Sequence, residues 1–258
     1  MIATQRHEYI LNRLSTHASV TTVEICEACN VSAVTARADL SLLESRGLLK
    51  RTHGGAVRVG GLTVPAVSVR QKIHEPEKMA IAEYAASLVA DDETILCGSG
   101  STTLAFVKCL KHKKGVTIIT NDFNIIEYIE QNLPNIEVMS TGGTLGRRYR
   151  HLYGPFVEQS LGKIYLDKCF MGADSFVPGV GFMAEFAKTA FTKMDFLKHA
   201  RYKIILMDHH KVNSSSSFVQ FASANDIDLV IMDKDPEHTV AQSFEQAQSS
   251  AHIVECYE

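Results

Sequence analysis

Two sets of residues in this chain have types and spacings suited to chemistry. The first is Gly98-Ser99-Gly100-Ser101-Thr102-Thr103, small and hydroxyl-bearing residues directly after the apolar run 94–97. Small residues let a backbone approach a ligand, hydroxyls add donors, and a helix starting at once turns its first amides toward an anion. That describes a phosphate cradle. A plain turn would use the same residues, and the loop alone leaves both readings open. The second set is Arg37, Lys50, Arg51 and His53, with Ser32, Ala33, Thr35 and Ser41 nearby. Cations among small residues suit a DNA major groove, where bulk blocks entry and Arg can pair bidentately with guanine.

Further polar residues close other apolar runs: Thr120-Asn121, Thr141-Gly142-Gly143, Gly172-Ala173-Asp174, and Asp208 with Lys211 in D-H-H-K. Asn121, Thr141, Gly142, Gly143, Asp174 and Asp208 converging at one edge fit a polyhydroxylated ligand, whose phosphate Lys193 and Lys211 could neutralise. Either lysine alone is more often a surface charge. His209 and His210 are not expected to hold a metal, because adjacent residues on an extended segment point apart. No metal or cofactor is expected anywhere in the chain.

The elements that must position these groups follow from hydrophobic period. Ala36, Leu40 and Leu43 fall at i, i+4, i+7, one stripe of a helix, with Ser32 as its N-cap and Gly47 as a left-handed residue after its end. Helices are predicted before it at about Thr4–Thr16 and at Thr22–Cys29, the spacing of a helix-turn-helix. Asp39 on this module is expected to be tied to a neighbouring amide or Arg. The runs flanking Gly54-Gly55 predict a cationic hairpin, placed as a wing. Residues 60–75, with Gly60, Gly61 and Pro65, read as a linker in which Val67 and Val69 could pair as an edge strand. Pro76 opens a helix to about Val89. Strands are then predicted at 94–97, 116–119, 136–139, 166–171, 202–207 and 228–232, with a last one at 252–256 and helices between most of them. Such alternation implies an α/β domain with a mainly parallel sheet, whose ligands sit beyond the carboxyl ends of the strands. The expected organisation is a winged helix-turn-helix over 1–59, a linker over 60–75 and an α/β domain over 76–258.

Hydrophobic content of 45% and charged content of 21% describe an ordinary globular chain. No apolar run approaches the ~20 residues of a membrane span, and MIATQRHEYI lacks the apolar core of a signal peptide, so a cytoplasmic protein is expected. Net charge is −3, yet residues 1–60 hold seven Lys/Arg against five Asp/Glu, and the remainder 19 against 24. So small an excess of positive charge calls for an oligomer, dimer or tetramer, that sets two readers on one site. Cys26 and Cys29 form a CxxC with no second pair to complete a four-ligand zinc site. They read as core residues of the second helix.

The run TARADLSLLESRGLLKRTHGGA resembles the N-terminal signature of the DeoR family of bacterial transcription regulators, close to T-I-R-R-D-L, L-x-x-x-G and R-x-H-G-G-A. Thr35, Arg37, Asp39, Leu40, Leu43, Gly47, Arg51, His53, Gly54, Gly55 and Ala56 match, whereas Ala38 stands where the family usually has a second Arg. From Lys78 to Asp233 the resemblance continues through S-G-S-T-T, T-N, G-G, Tyr153-Gly154-Pro155, D-K-C-F-M-G-A-D and D-x-x-K. Here Gly98 replaces an Asp found in many relatives, and His210 replaces a Ser. The resemblance implies the fold shared with ribose-phosphate isomerases and CoA transferases, and a phosphorylated sugar as effector.

The expected function is a DNA-binding transcriptional regulator, a repressor of a sugar-utilisation operon whose hold on double-stranded operator DNA responds to a phosphosugar. A rival reading is a sugar-phosphate isomerase with an accessory DNA module. Isomerisation needs a carboxylate base near a carbon-bound proton, and neither Gly98 nor the sequence around Asp174 supplies one. A third reading is a constitutive DNA binder whose larger domain only oligomerises.

Overall fold

The computed structural model describes the chain except residues 18, 46–47, 58–69, 147–148, 215–216, 218 and 258, together with the side chains of 8, 12, 15 and 16. It forms two compact units, Met1–Ile73 and His74–Glu258. The expected stop at Gly47 and most of the expected linker, with Val67 and Val69, lie outside the described residues.

In the first unit, helix α1 (Ala3–Thr16) turns Ile10, Leu11 and Leu14 inward. Strand β1 (Ser19–Thr21) leads into α2 (Thr22–Cys29), whose start is fixed reciprocally. The Thr21 hydroxyl accepts from the Glu24 amide at 3.1 Å, and the Glu24 carboxylate accepts from the Thr21 amide at 2.7 Å. Asn30, left-handed at φ 51°, ends it. Helix α3 (Ala33–Ser45) begins where the Ser32 hydroxyl accepts from the Thr35 amide at 3.2 Å. It buries Ala36, Leu40 and Leu43 as the stripe predicts. Strands β2 (Lys50–Thr52) and β3 (Gly55–Val57) make the hairpin, and β1 pairs with β3 to give the order β1-β3-β2. Cys29 and Ile25 are buried in the core with Cys26 packed against it, and all six cysteines of the chain are free thiols.

The cap on α2 is testable by titration. The Thr21 amide, then its hydroxyl and Arg13, hold the Glu24 carboxyl down at about 2. A folded value below the unfolded one means stabilisation that is fully present above the ordinary carboxylate range, ~4.3, and is lost as pH falls through about 2. Carboxylate-detected NMR should place the Glu24 midpoint at about 2 in the native chain and higher in Thr21→Ala. An ordinary midpoint in the native chain would refute the reciprocal cap.

The second unit opens with α4 (Glu75–Ser87), Pro76 in its first turn. Strand β4 (Thr94–Cys97), α5 (Ser101–Lys108), β5 (Thr117–Thr120), α6 (Phe123–Asn132) and β6 (Glu137–Ser140) follow. A hairpin of β7 (Thr144–Gly146) and β8 (His151–Tyr153) precedes α7 (Pro155–Leu161) and β9 (Leu166–Gly172). Next come β10 (Ser175–Val177), β11 (Gly181–Ala184), α8 (Ala187–Lys198), β12 (Ala200–Leu206), β13 (Val219–Ala222), β14 (Leu229–Met232), α9 (Thr239–Gln246) and β15 (His252–Glu255).

Seven strands form one parallel sheet in the order β15-β14-β12-β9-β4-β5-β6. This is the mainly parallel α/β architecture expected, and each of its strands falls within two residues of a predicted run. Continuous apolar strands such as TILC and LVIM need cover on both faces, which the helices supply. A second, antiparallel sheet is formed by β10, β11 and β13.

Among the described residues no helix is long and apolar enough to cross a membrane. One expectation needs correction: His209 and His210 are not on an extended segment but on a 3-10 turn, with their rings 3.8 Å apart. The turn forms because Asp233, at the end of the neighbouring strand, accepts from the His209 amide at 2.7 Å and from its ring.

Candidate functional site

The parallel sheet runs in opposite chain directions from its middle: β4-β5-β6 one way, β9-β12-β14-β15 the other. Loops after β4 and β9 therefore diverge and leave a crevice at their carboxyl ends. A recess opens there, lined by Gly98, Ser99, Asn121 and Met171 from the strand ends and by Thr189, Thr192, Lys193 and Phe196 from α8. It encloses about 160 Å³, mouth included, against roughly 300 Å³ for the smallest usual ligand sites.

Two polar groups in the recess are buried. Lys193 is 4% exposed and donates from Nζ to the Gly172 carbonyl at 2.5 Å. Asn121 is 2% exposed; its Nδ2 donates to the Leu152 carbonyl at 2.9 Å, while its Oδ1 has no hydrogen-bond partner. An orphaned buried acceptor is costly unless a donor arrives, and Lys193 lines the same recess. A hydroxyl for Asn121 and an anionic oxygen for Lys193 are the complementary groups.

Of the effector residues expected from sequence, Ser99, Asn121 and Lys193 line the recess. The Gly100 amide is engaged by Asp122 Oδ2 at 3.1 Å, and the Thr103 hydroxyl donates to the Gly100 carbonyl at 3.0 Å. Ser101 begins α5 beside it and Thr102 is buried. Thr141 is buried, Gly142 and Gly143 are exposed, and none of the three lines the recess. Asp174 accepts from the Glu185 amide at 3.1 Å. Asp208 and Lys211 sit apart from the recess, on the turn after β12.

Four residues of the recess had no signal in the sequence: Met171, Thr189, Thr192 and Phe196. Met171 looked like strand core. A Cβ added at Gly98 would come within 2.3 Å of its sulfur, so the thioether fills the place where the resemblance puts an Asp side chain. Asp122 was also missed, although T-N-D before a helix is an N-cap signature. Its Oδ1 accepts from the Asn124 amide at 2.7 Å, and burial raises its carboxyl above the ordinary range despite these bonds. Glu185, 1% exposed, is distant from Asp174 in sequence and brought beside it by the β10–β11 hairpin.

In the first unit, Ser32, Ala33, Arg37 and Ser41 are exposed on one side of α3, and Thr35 is half-buried. Lys50, Arg51 and His53 are exposed on the hairpin. Arg51 donates from its guanidinium to the Ser41 hydroxyl at 2.7 Å and from its amide to Glu44 at 2.8 Å. Helix face and hairpin thus present their cations side by side. The Ser32 hydroxyl is spent on its cap and that of Ser41 on the Arg37 carbonyl at 2.9 Å. Asp39 is tied to Arg6, as expected of it: two bonds of 2.7 and 3.0 Å, with His7 at 2.9 Å. Burial alone would raise its carboxyl, but Arg6 and His7 hold it below the ordinary range.

With this geometry in place, comparison with known proteins is specific. Residues 6–60 match the model of the DeoR-like helix-turn-helix domain, and residues 73–234 that of the DeoR C terminal sensor domain. The chain is 34% identical to the HTH-type transcriptional repressor GlcR of Bacillus subtilis, over 92% of this chain and 90% of that protein. It is 30% identical to the HTH-type transcriptional regulator GolR of Listeria innocua, over 99% and 100%. It is 29% identical to the lactose phosphotransferase system repressor of Staphylococcus aureus, over 92% and 94%. Among solved structures, ribose 5-phosphate isomerase A of Methanocaldococcus jannaschii matches 55% of this chain and 56% of its own, with a TM-score of 0.40 and 19% identity.

Proposed function

Because the chain belongs to the DeoR family of DNA-binding transcriptional regulators, we propose that it represses a sugar-utilisation operon and releases its operator when a phosphorylated sugar binds at, and widens, the recess at the β4/β9 switch point. The observation that carries this reading is that Lys193 and Asn121, with its orphaned Oδ1, line the same recess. A phosphosugar supplies both an anion and hydroxyl donors. The chain is a regulator, not an enzyme of sugar-phosphate metabolism. Operator DNA is read by α3 and the hairpin, with Arg37, Lys50, Arg51 and His53 as the cations nearest it. Two readers on one site require a dimer or tetramer, and the protein acts in the cytoplasm.

A ligand shifts DNA affinity only if it binds the free and DNA-bound forms unequally; a hundredfold change requires about 2.7 kcal/mol of coupling. The test is footprinting of DNA upstream of the operon at low ionic strength, followed by titration with a panel of pentose and hexose phosphates. We expect a protected site that one phosphosugar abolishes at micromolar concentration while its unphosphorylated sugar does not. A protected site that no phosphosugar moves would sink the switch, and absence of any protected site would sink the repressor.

A further inference from the structure

Away from the recess, three side chains from distant parts of the second unit meet. His74 is the N-cap residue of α4 and Glu77 lies in its first turn, and His210 belongs to the turn after β12. One ligand atom from each lies within 4.8 Å of the others. We propose that His74, Glu77 and His210 form a binding site for one divalent transition-metal ion of zinc type.

The donor set suits that class, since imidazole and carboxylate together favour zinc-like ions over calcium or magnesium. Two further observations point to a cation. Glu77 Oε2 is buried without a hydrogen-bond partner. So are both carboxylate oxygens of Asp208, a residue 0% exposed. Asp208 Oδ1 stands 3.4 Å from His210 Nδ1, a contact short of hydrogen-bond geometry but placed to hold a proton on that nitrogen. A carboxylate behind one ring nitrogen fixes the tautomer that leaves the other nitrogen free to bind metal.

Lys78 and Lys211 bring positive charge near Asp208, yet neither closes a hydrogen bond to it.

The two rings are stacked, centroids 3.5 Å apart and 13° from parallel. Their lone pairs therefore run alongside each other and converge only if one ring turns. His210, with 40% of its side chain exposed, can turn without disturbing the core. Donors of a tetrahedral zinc-type ion lie about 3.4 Å apart, so the closure needed is small. Loaded, the ion ties the first turn of α4 to the turn that carries Lys211.

The experiment uses the full chain after chelator treatment, with metal alone and neither DNA nor sugar present. Cobalt(II) is titrated and read by visible absorbance, then zinc by competition with a chromophoric chelator. We expect one ion per chain at micromolar affinity or tighter, with no thiolate-to-cobalt charge-transfer band. His210→Ser and His74→Ala should each weaken binding at least tenfold, and Cys26→Ser with Cys29→Ser should leave it unchanged. His210→Ser lies at an exposed position, so it decides the matter if His74→Ala fails to fold. No saturable binding, a thiolate band, or full affinity in His210→Ser would overturn the site.

Discussion

Gly55→Ala should destabilise the N-terminal unit by about 3 kcal/mol, whereas Gly54→Ala, one residue earlier, should change it by less than about 1 kcal/mol. A Cβ at Gly55 would lie 2.1 Å from the Val20 carbonyl oxygen and 2.7 Å from the Thr21 Cα, whereas one at Gly54 meets nothing within 4 Å. The obstructing atoms are backbone, so no side chain can swing aside. The register Thr21↔Gly55 would have to open, and with it the β1–β3 pairing that seats the hairpin. Denaturant melts of both variants check the difference in stability. The functional consequence is loss of operator binding in Gly55→Ala at temperatures where Gly54→Ala still binds. Equal stability of the two variants would mean that β1 does not pack on the hairpin.

The same glycines show where sequence reasoning reaches and where it stops. Gly54-Gly55 signals a turn, and the hairpin is there. The reason for Gly at 55 is a different one: close approach by β1, a three-residue strand with a single inward side chain, Val20. Ser-Val-Thr has too few residues to show a period of two. Strands β10, β11 and β13 escaped for a related reason, since β11 pairs residues about forty positions away and its pattern is not alternating. The long sheet was legible because buried parallel strands are nearly pure apolar runs. The crevice followed from topology, and with it Ser99 and Asn121. What α8 contributes was hidden, because Thr189, Thr192 and Phe196 read as an ordinary helix face until β9 is beside them. His74 and His210 are far apart in the chain and carry no shared motif, so only the fold could bring them together.

Lys193→Met should abolish the response to the phosphosugar while leaving operator affinity within about threefold. A hydrogen bond to a charged group contributes about 1.5–3 kcal/mol, so losing the ammonium corresponds to a rise in effector Kd of roughly 10–150-fold. Methionine keeps most of the volume beside Phe221, whose ring centroid lies 4.7 Å from Nζ. The substitution also strips the Gly172 carbonyl of this donor, a loss of about 1–3 kcal/mol in stability. That cost falls on the second unit, whereas Arg37, Lys50 and Arg51 belong to the first. Calorimetry with the effector identified by footprinting, and gel shifts with and without it, separate the two effects. A chain that still binds DNA but no longer lets go is the expected phenotype, seen in cells as permanent repression. Release at the native effector concentration would mean that the anion is held elsewhere, with Lys211 on the turn after β12 the next cation to remove.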